Sequence, residues 1–99
     1  MLSKLLVQMS ALRASLSEYR RRVLRGESIV VEYYGSPVAV FKPYETGVSG
    51  VELPLTQFRD QMSECWEKLD AGMVGAYVLT HHGQPQILFL PYEERDHEG

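Results

Sequence analysis

Four arginines are the residues of this sequence with the clearest capacity for chemistry. Arg13, Arg20 and Arg21 fall on one predicted helix, and Arg59 falls on a second. A guanidinium group can bind a phosphate through two parallel hydrogen bonds or reach the edge of a guanine in the major groove. Arginines also cover solvated helix faces without binding anything. The four side chains are therefore candidate DNA contacts, with plain solvation as the alternative.

No residue pattern points to catalysis or to a bound metal ion. His81 and His82 are neighbours in a predicted strand, where successive side chains point to opposite faces and cannot readily chelate one ion. Cys65 lies on the apolar stripe of a helix and is expected to be a buried, unreactive thiol. The sequence has no glycine-rich phosphate loop, nucleophile elbow or zinc-ligand spacing. We therefore predict a protein that is not an enzyme and needs no cofactor or metal.

The single tryptophan, Trp66, lies on the flank of its predicted helix, beside the apolar stripe. A large amphipathic ring in that position lies at the edge of a core or anchors an interface. We predict that Trp66 contacts another subunit or another part of the chain rather than a ligand.

Length and charge limit the classes of protein that the chain can belong to. With 99 residues, 44% of them hydrophobic, it suits one small globular domain. Residues 1–50 carry seven basic and four acidic side chains, and residues 51–99 carry three and nine, so the halves have net charges of +3 and −6. No apolar run approaches the ~20 residues that a membrane span needs. Together with the lack of a recognisable signal peptide, this predicts a cytoplasmic protein.

The second half of the chain repeats the first. Residues 10–26 align with residues 56–72 at an offset of 46, and after a two-residue insertion the offset becomes 48. Eleven identities in the same order are difficult to ascribe to chance. The identical pairs are Arg13/Arg59, Ser17/Ser63, Glu18/Glu64, Gly26/Gly72, Val30/Val78, Gly35/Gly83, Pro37/Pro85, Phe41/Phe89, Pro43/Pro91, Tyr44/Tyr92 and Glu45/Glu93.

Each copy has the pattern of a strand, a helix and a β-hairpin. Ser10 and Thr56 are placed as N-caps of helices near residues 11–25 and 57–71, because a hydroxyl there can accept a free backbone N–H. Gly26 and Gly72 are placed where a left-handed residue would end each helix. The apolar stripes predict the core-facing side of each helix, and β-rich runs around Gly35 and Gly83 predict the hairpins of a domain that is compact as a whole. The stripe residues are Leu12, Leu16, Tyr19 and Val23, and Phe58, Met62, Cys65 and Leu69.

The fold class predicted from this repeat is α+β, a duplicated strand-helix-hairpin unit with a pseudo-two-fold axis inside one chain. Residues 1–45 form the first unit, 46–50 a linker, and 51–99 the second, more acidic unit. Residues 3–25 also fit one continuous helical stripe, which leaves a long helix as the alternative to a strand followed by a helix. We favour the strand, because Pro54 disfavours a helix through the equivalent segment of the second copy.

The residues of the first unit resemble the N-terminal domain of Phd/YefM-family antitoxins. The resemblance is strong over residues 5–45 and extends more weakly, through the repeat, to residues 51–93. It implies a strand-helix-hairpin unit that dimerises and binds operator DNA, repressing its own operon, while a C-terminal tail neutralises a toxin. It is carried by Arg13, Leu16, Glu18, Tyr19, Val23, Gly26, Glu27, Ile29–Val31, Gly35, Pro37–Val40 and Pro43.

The family pattern transfers to this chain only in part. An arginine just after the helix start contacts DNA in the family, and Arg13 matches it, as Arg59 does through the repeat. The family has basic residues before the hairpin glycine, where this chain has Tyr33-Tyr34 and His81-His82. A second unit replaces the toxin-binding tail.

The function predicted from the resemblance is that of an antitoxin-like, DNA-binding autoregulator of a toxin-antitoxin operon. The alternative is a protein-interaction module that binds a toxin or another partner through its acidic second unit, without DNA. Operator DNA and a cognate toxin are the expected partners. The chain is expected to form a homo-oligomer or to pair its own halves as a pseudo-dimer.

Overall fold

The structure, a computed structural model, describes residues 4–93 as a mixed α+β domain with one six-stranded sheet and three helices. The first half contains β1 (Lys4–Gln8), α1 (Met9–Ala14), α2 (Leu16–Leu24), β2 (Ser28–Tyr33) and β3 (Ser36–Pro43). The second contains β4 (Val51–Pro54), α3 (Leu55–Asp70), β5 (Tyr77–His81) and β6 (Gln84–Pro91). The prediction of an α+β fold is confirmed.

The strand order of the sheet is β1-β2-β3-β6-β5-β4. The two outer pairs, β1 with β2 and β4 with β5, are parallel, and the remaining pairs are antiparallel. The halves join where β3 pairs with β6, and Phe41 lies opposite Phe89 in that pairing. Those two residues are equivalent at the 48-residue offset, so the sheet has the same strand arrangement on both sides of this pair.

The irregularities of the backbone also recur at equivalent positions. The hairpins have register shifts at Val31/Glu32 and Leu79/Thr80. Both turns start with a non-glycine residue in the left-handed region, Tyr34 and His82, each with φ of 53°. A glycine follows each, as the tight two-residue hairpin turn requires. The helical segments deviate from helical geometry at Ser15 (φ −127°) and Gln61 (φ −113°), which are equivalent at the 46-residue offset.

Two details of the predicted helices are wrong. Ser10 and Thr56 do not cap their helices, because α1 begins at Met9 and α3 at Leu55, directly after extended Gln8 and Pro54. Met9 and Leu55 are buried, and their packing under the first turn starts the helix one residue before the hydroxyl. The first helix is also divided at Ser15 into α1 and α2, although its apolar stripe reads as continuous.

The choice of a strand before the first helix is confirmed by β1, which pairs with β2 from Lys4↔Ser28 to Gln8↔Glu32. The glycine ends of the helices are also confirmed, since Gly26 (φ 105°) and Gly72 (φ 76°) follow α2 and α3 in the left-handed region.

A single core lies between the three helices and one face of the sheet. Both predicted stripes point into it, with Tyr19 at its edge and the other seven residues buried. The sheet contributes matched pairs of side chains from the two halves, at a spacing of 48 residues. The pairs are Ile29/Tyr77, Val31/Leu79, Ala39/Ile87 and Phe41/Phe89.

Residues 44–50 connect β3 to β4, which run in the same direction on opposite sides of β6 and β5. Crossover connections between parallel strands are right-handed, and this handedness places residues 44–50 over the sheet face opposite to α3. On that face Val78 and Leu88 are almost completely buried. The segment ends in a close contact: Gly50 lies against Ala76, and the Val51 N–H donates to the Ala76 carbonyl at 3.0 Å. The predicted linker is therefore packed against the sheet at its end.

Within residues 4–93 no helix is both long enough and apolar enough to span a bilayer.

Cys65 and Tyr77 form a pair of interacting side chains in the core, with 3% and 4% of their surfaces exposed. Burial raises the pKa of the Cys65 thiol. A raised pKa and a buried position are those of an unreactive cysteine. Burial, followed by the neighbouring thiol, raises the pKa of Tyr77 to about 12.

We expect the pair to make the protein sensitive to alkali. The unfolded chain ionises Tyr77 near pH 10.0 and the folded protein only near 12, so this stabilisation is complete below pH 10.0 and is lost as the pH rises towards 12. Urea unfolding on both sides of pH 10.0 should show the free energy of unfolding falling with pH. Tyr77→Phe should make that fall shallower, and an equally steep fall in this variant would contradict the assignment.

Candidate functional site

α1 and the first half of α3 together form an open cavity of about 470 Å³. Arg13 and Arg59, which are equivalent in the repeat, both line it. The sheet places them together, because the halves join at β3 and β6 and both α2 and α3 contact strands of the two hairpins. The full lining is Ser10, Arg13, Ala14, Arg59, Asp60, Ser63 and Glu64.

The two arginines differ in their partners. Arg13 donates from Nη2 to the Ser63 hydroxyl at 2.9 Å, a contact between the two halves. Arg59 makes no hydrogen bond or ion pair with any residue between 4 and 93. Asp60 and Glu64 contribute carboxylates to the same cavity, so its charge is mixed.

Arg20 and Arg21 do not join this cavity. Arg20 is half-buried and donates from Nε to Oε1 of Gln86, at the start of β6, over 3.0 Å. Arg21 is exposed on the outside of α2. Of the four predicted contact residues, the structure therefore brings Arg13 and Arg59 to this cavity and leaves Arg20 and Arg21 outside it.

A second cavity, of about 250 Å³, lies between α2, the start of α3 and β5. Arg59 also lines this second cavity. Arg20 adds another guanidinium group to the lining, and His81 adds an imidazole. We call it the arginine–histidine cavity. Its lining residues are Ala14, Ser15, Leu16, Ser17, Arg20, Leu55, Thr56, Arg59 and His81.

The surroundings of His81 in the arginine–histidine cavity lower the pKa of its side chain. Desolvation lowers the pKa of its imidazole, and the positive charges of Arg20 and His82 lower it further. His81 and His82 themselves pack edge to face, with ring centroids 4.1 Å apart. Among the described residues, no group of three or more histidine, cysteine or acidic side chains could hold a metal ion.

Trp66 lies at a contact between the two halves. It packs at the edge of the core with its ring centroid 4.9 Å from that of Tyr33, which belongs to the first hairpin. Tyr33 in turn contacts Tyr34 at 4.5 Å, and Tyr34 is 87% exposed. A hydrogen bond with Tyr34 raises the pKa of Tyr33.

Sequence reasoning missed Ser63 and His81, which line these cavities, and Gln86, which accepts a hydrogen bond from Arg20. The signal for His81 was present in the repeat, because His81 is equivalent to Tyr33 and Arg20 is equivalent to Trp66. In one half Trp66 packs on Tyr33, and at the equivalent positions of the other half Arg20 lies beside His81.

Comparison of the chain with protein-family models, curated proteins and solved structures finds no match.

Proposed function

We propose that this protein is a single-chain counterpart of a Phd/YefM-type antitoxin dimer, and that it binds duplex DNA as a transcriptional autoregulator of its own operon. In this proposal the first unit and the more acidic second unit play the parts of the two subunits. The protein acts without catalysis and without a cofactor.

The observation that carries the proposal is the position of Arg13 and Arg59. The resemblance assigns DNA contact to the arginine at the start of the helix, and the two copies of that arginine line one cavity on the outer surface. Two guanidinium groups on one exposed face can each bind a backbone phosphate or a base edge. Arg21, exposed on α2, adds a third positive charge to the helical surface.

The strand arrangement of the sheet also supports a single-chain counterpart of a dimer. β3 and β6 pair about Phe41 and Phe89, which gives each half an equivalent place in one continuous sheet. A homodimer with a true two-fold axis binds palindromic DNA. Here the surroundings of the equivalent arginines differ, since Arg13 is hydrogen-bonded to Ser63 and Arg59 has no such partner in the described residues. We therefore expect an operator whose two halves differ in sequence.

Arg13→Ala should weaken binding to the DNA upstream of the gene by about 1–3 kcal/mol if the side chain reaches a base edge. Gel retardation or fluorescence anisotropy at low salt measures this. With about four phosphate contacts, log affinity should fall with log salt at a slope near −3.6. Arg25→Ala is the matched control, because Arg25 is exposed beyond the end of α2 and lines neither cavity.

Absence of retardation at low salt, with or without a co-purified partner, would reject DNA binding. An equal loss of affinity in Arg13→Ala and Arg25→Ala would reject the Arg13 contact and leave only a general attraction between charges.

The charge of α3 favours a second candidate function, binding of a basic protein partner such as a toxin. α3 carries four acidic side chains, all exposed, against two basic ones. The double change Asp60→Lys with Glu64→Lys separates the candidates, because it should strengthen DNA binding and weaken binding of a basic protein. The acidic residues are Asp60, Glu64, Glu67 and Asp70.

A further inference from the structure

We propose that the arginine–histidine cavity binds the phosphate group of a small, soluble phosphorylated compound. This inference does not depend on DNA binding, and it concerns the second cavity, which shares Ala14 and Arg59 with the cavity that Arg13 lines but also contains Arg20 and His81. Its volume of about 250 Å³ is just below the ~300–1,000 Å³ of pockets for drug-sized ligands, so a compact anion suits it.

The charge of the lining is the first reason. Arg20 and Arg59 bring two guanidinium groups to the cavity, and His81 brings an imidazole. Among residues 4–93 no aspartate or glutamate lines it, unlike the neighbouring cavity, which contains Asp60 and Glu64. Arg20 and Arg59, which lie on different helices, line the same cavity without a counter-ion among residues 4–93, an arrangement that an anionic ligand would stabilise.

The geometry of Arg20 is the second reason. Its Nε donates to Gln86 at 3.0 Å, and this hydrogen bond fixes the plane of the guanidinium group. The terminal nitrogens have no partner among residues 4–93. A planar group held in this way is prepared to donate two parallel hydrogen bonds to one phosphate.

Hydroxyl groups supply the remaining donors. Ser17 and Thr56 line the cavity, and neither hydroxyl caps a helix. Because α3 begins at Leu55 rather than after Thr56, the Thr56 hydroxyl is available to a ligand. Serine and threonine hydroxyls complement arginine at phosphate sites, since they donate to the oxygens that the guanidinium groups leave unbound.

The other half of the chain provides an internal comparison. At the equivalent positions, Trp66 replaces Arg20, Tyr33 replaces His81 and Asp60 replaces Ala14. The two rings contact each other at 4.9 Å, and the equivalent of Arg59, Arg13, is hydrogen-bonded to Ser63. The equivalent place in the other half therefore contains aromatic side chains and an acid, whereas the arginine–histidine cavity is lined by cationic side chains.

His81 makes the binding dependent on pH. The groups that face it are Arg20 on α2, Arg59 on α3 and the adjacent His82. Desolvation, followed by the charges of Arg20 and His82, lowers the pKa of His81 and so favours its neutral form. A bound phosphate dianion favours the imidazolium, so binding should raise the pKa of His81.

The test is a titration of the whole 99-residue protein with inorganic phosphate, followed by the amide and imidazole NMR signals at constant ionic strength against chloride. We expect saturable shifts at Ser17, Thr56 and His81, together with a raised pKa of His81. Arg59→Gln should weaken binding about tenfold, equivalent to about 1.4 kcal/mol. Arg59 has no described partner, so this variant should fold normally. Arg20→Gln is a second variant, and Arg25→Gln is the charge-matched control, expected to stay within about twofold, in the range of a distant surface charge.

Shifts that do not saturate, or equal weakening by Arg59→Gln and Arg25→Gln, would overturn the proposal. A short DNA duplex forms the second arm of the test. Saturable shifts at the cavity with the duplex alone, and none with phosphate, would make the cavity a DNA backbone contact and also overturn it. Arg13→Ala separates the two sites, since it should weaken DNA binding and leave phosphate binding unchanged.

Discussion

Replacing Phe58 with alanine should lower the free energy of unfolding by about 3–5 kcal/mol, the cost typical of deleting a buried phenyl ring and leaving a cavity. Phe58 is completely buried on α3, with its ring centroid 4.8 Å from Phe89 and 6.0 Å from Phe41. Those two phenylalanines face each other where the halves of the sheet join. The ring of Phe58 therefore packs against both halves at once.

Urea unfolding followed by circular dichroism measures this loss. Met73→Ala is the matched control, because Met73 is 74% exposed and its loss should change stability by less than about 0.5 kcal/mol. If Phe58→Ala costs less than about 1 kcal/mol, well below the range for a buried ring, the three-ring contact is not part of the stable core.

Replacing Gly50 with alanine should lower the free energy of unfolding by about 1–3 kcal/mol, the range for overpacking a filled site. A Cβ at this position would come within 2.8 Å of the Ala76 carbonyl carbon and closer still to its oxygen. The obstacle is backbone in the pairing between β4 and β5, where Val51 donates to the same carbonyl. The chain can relieve the clash only by moving the start of β4 away from the sheet.

Gly75→Ala is the control for this substitution. A Cβ at Gly75 would have no atom within 4 Å, so alanine there should be neutral or slightly stabilising through the unfolded state. Equal effects at both positions would mean that Gly50 does not approach Ala76 closely and that residues 46–50 behave as a free linker.

The sequence alone determined the features that depend on local chemistry. The stripes that include Leu12 and Met62 are buried as their spacing predicts, because a period of 3.6 residues directs them to one side of a helix. Gly26 and Gly72 end the helices because only glycine adopts the left-handed conformation at little cost. The α+β class and the place of the hairpins followed from the same local patterns.

The tertiary structure alone decided which charged side chains meet. Arg13 and Arg20 lie on the same helical segment of the sequence, yet Arg13 contacts Ser63 on α3 and Arg20 contacts Gln86 on β6. These contacts depend on the pairing of β3 with β6, which brings residues 50 and 66 positions apart within hydrogen-bond distance. No periodicity within one helix contains that information.

The starts of the helices and the approach of Gly50 to Ala76 were likewise decided by packing. Burial of Met9 and Leu55 moved the helix starts ahead of the hydroxyls that local propensity favours as caps. Gly50 reads as a flexible linker residue in the sequence, but the sheet requires it to be small. In each case a contact with a distant part of the chain outweighed a local preference, since burial of a large apolar side chain contributes about 1.5–3 kcal/mol and a helix cap about 1 kcal/mol.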